Sequence, residues 1–103
     1  MSNLVFGTKQ PYEEYYVTFD FVNDMDEDDS IANENATITV MNGAVDVTAT
    51  LTDVDKQTAS GTKVFVWVRG GTTATTYVIT CKIVTTVLAE KYETEADLPV
   101  AET

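Results

Sequence analysis

Tyr77-Val78-Ile79-Thr80-Cys81-Lys82-Ile83-Val84 alternates residue by residue. Tyr77, Ile79, Cys81 and Ile83 make one apolar row, and Val78, Thr80, Lys82 and Val84 stand on the other side. A period of two, carried by β-branched side chains, marks a strand with one dry face and one wet face. The preceding run, Lys63-Val64-Phe65-Val66-Trp67-Val68-Arg69, has the same period but both of its sides are apolar. Opposite the row led by Tyr77, the uniform set Val64, Val66 and Val68 is the natural inner set, which turns Phe65 and Trp67 outward.

The alternation extends in both directions. Upstream, Tyr15, Val17, Phe19 and Phe21 form one row, then Ala36, Ile38 and Val40, then Val45, Val47, Ala49 and Leu51. Downstream it returns in Tyr92, Ala96, Leu98 and Val100. Thr and Val dominate the chain, with 18 and 14 residues, and both pack better on a pleated sheet than in a helix. The intervening residues are turn formers: Asn42-Gly43, Asp53 to Lys56, Ser60-Gly61 and Gly70-Gly71. Asn-Gly between alternating runs is a strong hairpin signal. Strands are expected over 15–22, 36–41, 45–52, 62–69, 76–86 and 91–100, with a short lead strand over 3–6 as a seventh. Short strands with a reversal every 8–15 residues predict an all-β fold, an immunoglobulin-like β-sandwich of six to seven antiparallel strands. A small barrel is the alternative. The expected division is a lead segment over 1–14 and one sandwich domain over 15–103.

Composition narrows the function. The 103 residues suit one small domain, and 17 acids against 6 bases leave a net charge of −11. That balance disfavours nucleic acid, which demands a basic footprint, and anionic lipid. Histidine is absent, removing the commonest general base and transition-metal ligand. The single cysteine, Cys81, has no internal partner for a disulfide, and its place in the apolar row predicts an inert buried thiol. The segment Met1 to Gln10 lacks a basic region followed by a long apolar run, so it does not read as a secretory signal.

The sharpest local cluster is Asn23-Asp24-Met25-Asp26-Glu27-Asp28-Asp29-Ser30. Asp24, Asp26 and Asp28 occupy the first, third and fifth places of a calcium-loop pattern, with Ile31 on the apolar eighth. Asp29 stands where that pattern wants glycine, and Asn35 where it wants glutamate. The plain reading is a solvated loop between strands. The remaining acids are scattered over turns and wet strand faces, not paired across a cleft as hydrolytic chemistry requires. Ser2, Ser30 and Ser60 have no histidine to activate them. No catalytic residue and no cofactor is expected. Phe65 and Trp67 are the candidate protein interface, because aromatic residues are enriched in interface cores. The competing reading buries them under a loop or the N-terminal segment.

The order of segments resembles that of small immunoglobulin-like structural proteins of tailed bacteriophages, some described as fiber-tail adaptors. The likeness runs from Lys9-Gln10-Pro11 and Tyr16-Val17-Thr18-Phe19-Asp20-Phe21 through Ala36-Thr37-Ile38-Thr39-Val40. It is clearest in Val64-Phe65-Val66-Trp67-Val68-Arg69-Gly70-Gly71-Thr72 and Thr76-Tyr77-Val78-Ile79-Thr80-Cys81-Lys82-Ile83. Val87-Leu88-Ala89-Glu90 departs from it, where a Ser-Ala-Gly type hairpin is usual. The resemblance implies a non-enzymatic virion protein, made in the bacterial host cytoplasm. Its expected partners are other phage tail, neck, fiber or capsid proteins, with oligomerisation in the particle open and no nucleic acid or membrane among them. A calcium-supported adhesion or carbohydrate-binding module and a small protein inhibitor are the alternatives.

Overall fold

The computed structural model describes residues 4–102. Residue 3 of the expected lead strand, Ser2 and residue 103 lie outside the described residues. The strands are β1 (Leu4–Val5), β2 (Tyr15–Asp20), β3 (Ile31–Asn42), β4 (Val45–Asp46), β5 (Thr58–Ser60), β6 (Lys63–Val68), β7 (Thr75–Thr85) and β8 (Lys91–Val100). A single helical turn, α1 (Thr48–Leu51), and a 3-10 turn over Val54–Lys56 join β4 to β5. Two sheets form, one ordered β1-β8-β7-β3-β4 and the other β2-β6-β5. This is a β-sandwich, not a closed barrel. The order β8-β7-β3-β4 against β2-β6-β5 is that of the G-F-C-C′ and B-E-D strands of a variable-type immunoglobulin domain. The pairings are antiparallel except that of β1 with β8, which is parallel.

The inner rows meet as the alternation requires. Val17 and Phe19 of β2 and Val64, Val66 and Val68 of β6 pack against Tyr77, Ile79, Cys81, Ile83, Ala96, Leu98 and Val100, all buried. Each Val, Leu, Ile or Phe in these rows contributes roughly 1.5–3 kcal/mol of burial. Phe6, just beyond β1, closes one side of the sandwich with its ring edge-on to Phe19 at 5.4 Å. The hydroxyl of Tyr77 accepts a hydrogen bond from the Thr72 amide at 2.9 Å, pinning the β6–β7 connection in the manner of an immunoglobulin tyrosine corner.

Of the expected strand over 45–52, only Val45–Asp46 forms, as β4. The hairpin at Asn42-Gly43 closes with Asn42 opposite Val45 and Gly43 at φ +60, but pairing stops after Asp46. There the Asp46 carboxylate takes the Thr48 amide at 2.9 Å and its hydroxyl at 2.6 Å, and Val40 donates its amide to Thr48 Oγ1 at 2.9 Å. These side-chain contacts replace ladder bonds and start α1, an alternative that Ser, Thr, Asn and Asp commonly offer the backbone. Of the row Val45, Val47, Ala49 and Leu51, only Leu51 is buried, whereas Val45 and Ala49 are exposed. Two further features were not expected: β5, and the start of β3 at Ile31, with a bulge between Ile31 and Ala36.

Candidate partner-binding face

The outer face of the β2-β6-β5 sheet carries an aromatic cluster. Register sets Tyr16 opposite Trp67 and Thr18 opposite Phe65, so alternation places Tyr16, Phe65 and Trp67 together on the side away from the core. The Tyr16 ring meets Trp67 edge-on at 5.0 Å and Phe65 at 6.3 Å, the geometry that aromatic quadrupoles favour. Tyr16 is 45% exposed, and Phe65 and Trp67 are half-buried.

Polar groups frame the cluster. The Lys56 ammonium sits 4.1 Å from the centre of the Trp67 ring, a cation–π contact. The Tyr16 hydroxyl donates to the Lys56 carbonyl oxygen at 2.7 Å. The Trp67 indole N–H donates to Glu14 Oε1 at 3.2 Å. Part of the cover therefore comes from the Val54–Lys56 turn and part from Glu14, while Leu4 and Val5 pair with β8 instead and Phe6 packs against the core. Tyr16 and Lys56 are the members that sequence reading missed. Tyr16 was detectable as the outward partner of a strand that has to lie beside β6; Lys56 depends on how the turn folds.

The acidic segment is organised around different residues from those its sequence pattern suggested. Phe21, Met25 and Asp29 are buried, four residues apart, while Asp24, Asp26 and Asp28 are exposed between them. Among the described residues no three His, Cys, Asp or Glu side chains come together closely enough to hold a metal ion. Asp26 instead accepts the Asp28 amide at 3.1 Å. Asp29 takes the amides of Ser30 at 2.8 Å, Val87 at 2.8 Å and Leu88 at 3.1 Å. Burial alone would raise its pKa; the Val87 amide, the Thr85 hydroxyl and the Ser30 and Leu88 amides outweigh that and hold it at about 2. Asp29 thus ties the β2–β3 loop to the β7–β8 turn, where Ala89 adopts φ +56 and Thr85 and Glu90 close the hairpin at 2.8 Å. Cys81 is fully buried, and burial pushes its thiol up to about 12, far from the range of a reactive nucleophile.

No curated protein and no solved structure matches the chain. A family model does match, over residues 9–96, and that span takes in Lys9, the aromatic cluster, the acidic segment and all of β2 to β7. With an all-β sandwich carrying an outward aromatic face, and this match across most of its length, the chain belongs to the family described as podophage GP4 fiber-tail adaptor protein gp77.

Proposed function

We propose that this protein is a non-enzymatic adaptor of the phage particle, bridging larger tail, neck, fiber or capsid components, and that Phe65 and Trp67, with Tyr16, form one of its docking surfaces. The observation that carries the reading is the outward aromatic cluster on the three-stranded sheet. Apolar rings gathered on one solvent-facing patch are a usual mark of a protein-binding site. Covering the part of each ring that is still exposed would contribute roughly 1–1.5 kcal/mol. Lys56 and Glu14 at the margin supply the polar rim that surrounds such anchors.

A pair of substitutions on adjacent residues tests this reading. Trp67→Ser removes the largest ring from the outer face and is expected to leave the isolated domain folded while impairing its incorporation into particles. Val66→Ser places a hydroxyl in the core and is expected to unfold the domain, because Val66 is fully buried between the sheets. Collapse of the isolated Trp67→Ser domain, or its normal incorporation into particles, would remove the docking role.

A further inference from the structure

The three-stranded sheet has an open side. An immunoglobulin sandwich ordinarily places a fourth strand beside the one corresponding to β2. Here the lead residues take another course: Leu4 and Val5 pair with Ala96 and Asp97, and Lys9 bridges Val100, all on the opposite sheet. Among the described residues β2 is consequently an edge strand, six residues long. The other three edge strands are short, with two residues in β1, two in β4 and three in β5. Brevity blunts an edge; β2 is the one that stays long. Its sequence, Tyr15-Tyr16-Val17-Thr18-Phe19-Asp20, has high β propensity. It carries no proline and no lysine and pairs with β6 without a bulge.

The ladder fixes which groups are free. Phe21 donates its amide to the Thr62 carbonyl at 2.8 Å, so the odd-numbered residues of β2 bond to β6. The Trp67 carbonyl, opposite Tyr16, accepts from the Asp53 amide at 3.1 Å on the far side of β6. By alternation, the N–H and C=O groups of Tyr16, Thr18 and Asp20 point away from the sheet. All three residues are exposed.

We infer that the β2 edge accepts an extended strand from a different protein, completing the sheet by β-strand addition. Glu13 and Glu14 precede the edge and Asp20 ends it, so the matching segment carries Lys or Arg at its ends. Its outward side chains would lie beside Tyr16, which selects apolar or aromatic residues there. A second copy of this chain is disfavoured as the occupant, because two chains of net charge −11 would be brought together along their acidic margins. Main-chain hydrogen bonds give such docking its affinity and alternate side chains its selectivity.

The test is amide exchange, followed by NMR, on the whole protein with a short synthetic peptide that alternates threonine and valine between paired lysines. Without peptide, the amides of Tyr16, Thr18 and Asp20 are expected to exchange faster than those of Val17 and Phe19. With about 1 mM peptide they are expected to slow by about tenfold or more. A peptide with glutamates in place of the lysines is expected to protect them far less. Thr18→Pro deletes only an outward N–H, a position where an edge strand tolerates proline, and is expected to abolish the protection while the domain stays folded. The wild-type measurement decides the matter even where Thr18→Pro fails to fold. Unchanged exchange with the lysine peptide, equal protection by both peptides, or protection of the same amides by concentration-dependent dimerisation without peptide would each overturn the inference. Trp67→Ser leaves these amides in place, so failure of the aromatic face and failure of the edge are separate results.

Discussion

The ammonium nitrogen of Lys9 lies 2.6 Å from the carbonyl oxygen of Gly70, 61 residues further along the chain. It also donates to the carbonyls of Gln10 at 2.8 Å and Pro11 at 3.3 Å, and the side chain is fully buried. Burial lowers its pKa, with Glu13, Glu14 and Tyr77 opposing the shift. The ammonium thus staples the lead segment to the β6–β7 connection. Lys9→Met keeps the apolar stem but leaves three carbonyls without this donor. The expected cost is roughly 2–3 kcal/mol, measured by urea unfolding; a variant as stable as the parent would mean that desolvation of the ammonium cancels its hydrogen bonds.

Asp29 makes stability sensitive to acid. Its folded pKa of about 2 lies below the ordinary 3.8, so the unfolded chain takes up the proton first. The stabilisation is full above the ordinary value and disappears as pH falls through it towards the folded one. Asp29→Asn is therefore expected to melt well below the parent at about pH 6 and close to it at about pH 2. A gap in melting temperature that stays constant across that range would show that the ionised form is not what the loop requires.

Gly71 is expected to be the least replaceable of the turn glycines. It adopts φ +101, and a Cβ there would stand 3.0 Å from Val100 Cγ2 and 3.4 Å from the Tyr77 ring. Gly43, at φ +60, has open space around it. Gly71→Ala is expected to cost roughly 2–3 kcal/mol from clash and backbone strain together, and Gly43→Ala about 1 kcal/mol from strain alone. Thermal melts of the two variants give the ranking directly.

Added monovalent salt is expected to raise the melting temperature. Among the described residues the ion pairs are Arg69–Asp53 at 3.7 Å and Lys82–Glu93 at 3.9 Å, both partly exposed. Such pairs contribute little, whereas a net charge of −11 opposes the compact state and is screened by ions. A melting temperature that falls with salt would assign more stability to those two pairs than to relief of the repulsion.

The parts of the fold legible in the sequence are those governed by the two-residue period. Val64, Val66 and Val68 are buried opposite Tyr77, Ile79, Cys81 and Ile83, and Phe65 and Trp67 face outward, because alternation leaves each strand little choice once one row is dry. The row from Val45 to Leu51 misled because a Thr-rich strand and a single helical turn share a composition; the hydrogen bonds of Asp46 and Thr48 decided between them. The aromatic cluster was half legible: two rings are neighbours on one strand, but Tyr16 joins them only through the pairing of β2 with β6, and Lys56 only through the fold of the turn that sets it over Trp67. In the acidic segment charge drew attention to Asp24, Asp26 and Asp28. The spacing of Phe21, Met25 and Asp29 marks the side that packs inward, and only the folded β7–β8 turn supplies the amides that Asp29 holds.

The parallel pairing of β1 with β8 also determines how the domain would carry a load. Leu4 lies beside Ala96, and Lys9 beside Val100, so the chain enters and leaves along the same seam. A pull applied upstream of Leu4 and downstream of Ala101 drives these two segments past each other lengthwise. The bonds from Phe6 to Asp97, Lys9 to Pro99 and Ala101 to Lys9 are then strained together, in shear, instead of being peeled apart one at a time. The seam joining the two ends would act as a mechanical clamp, holding the sandwich closed under tension directed along it.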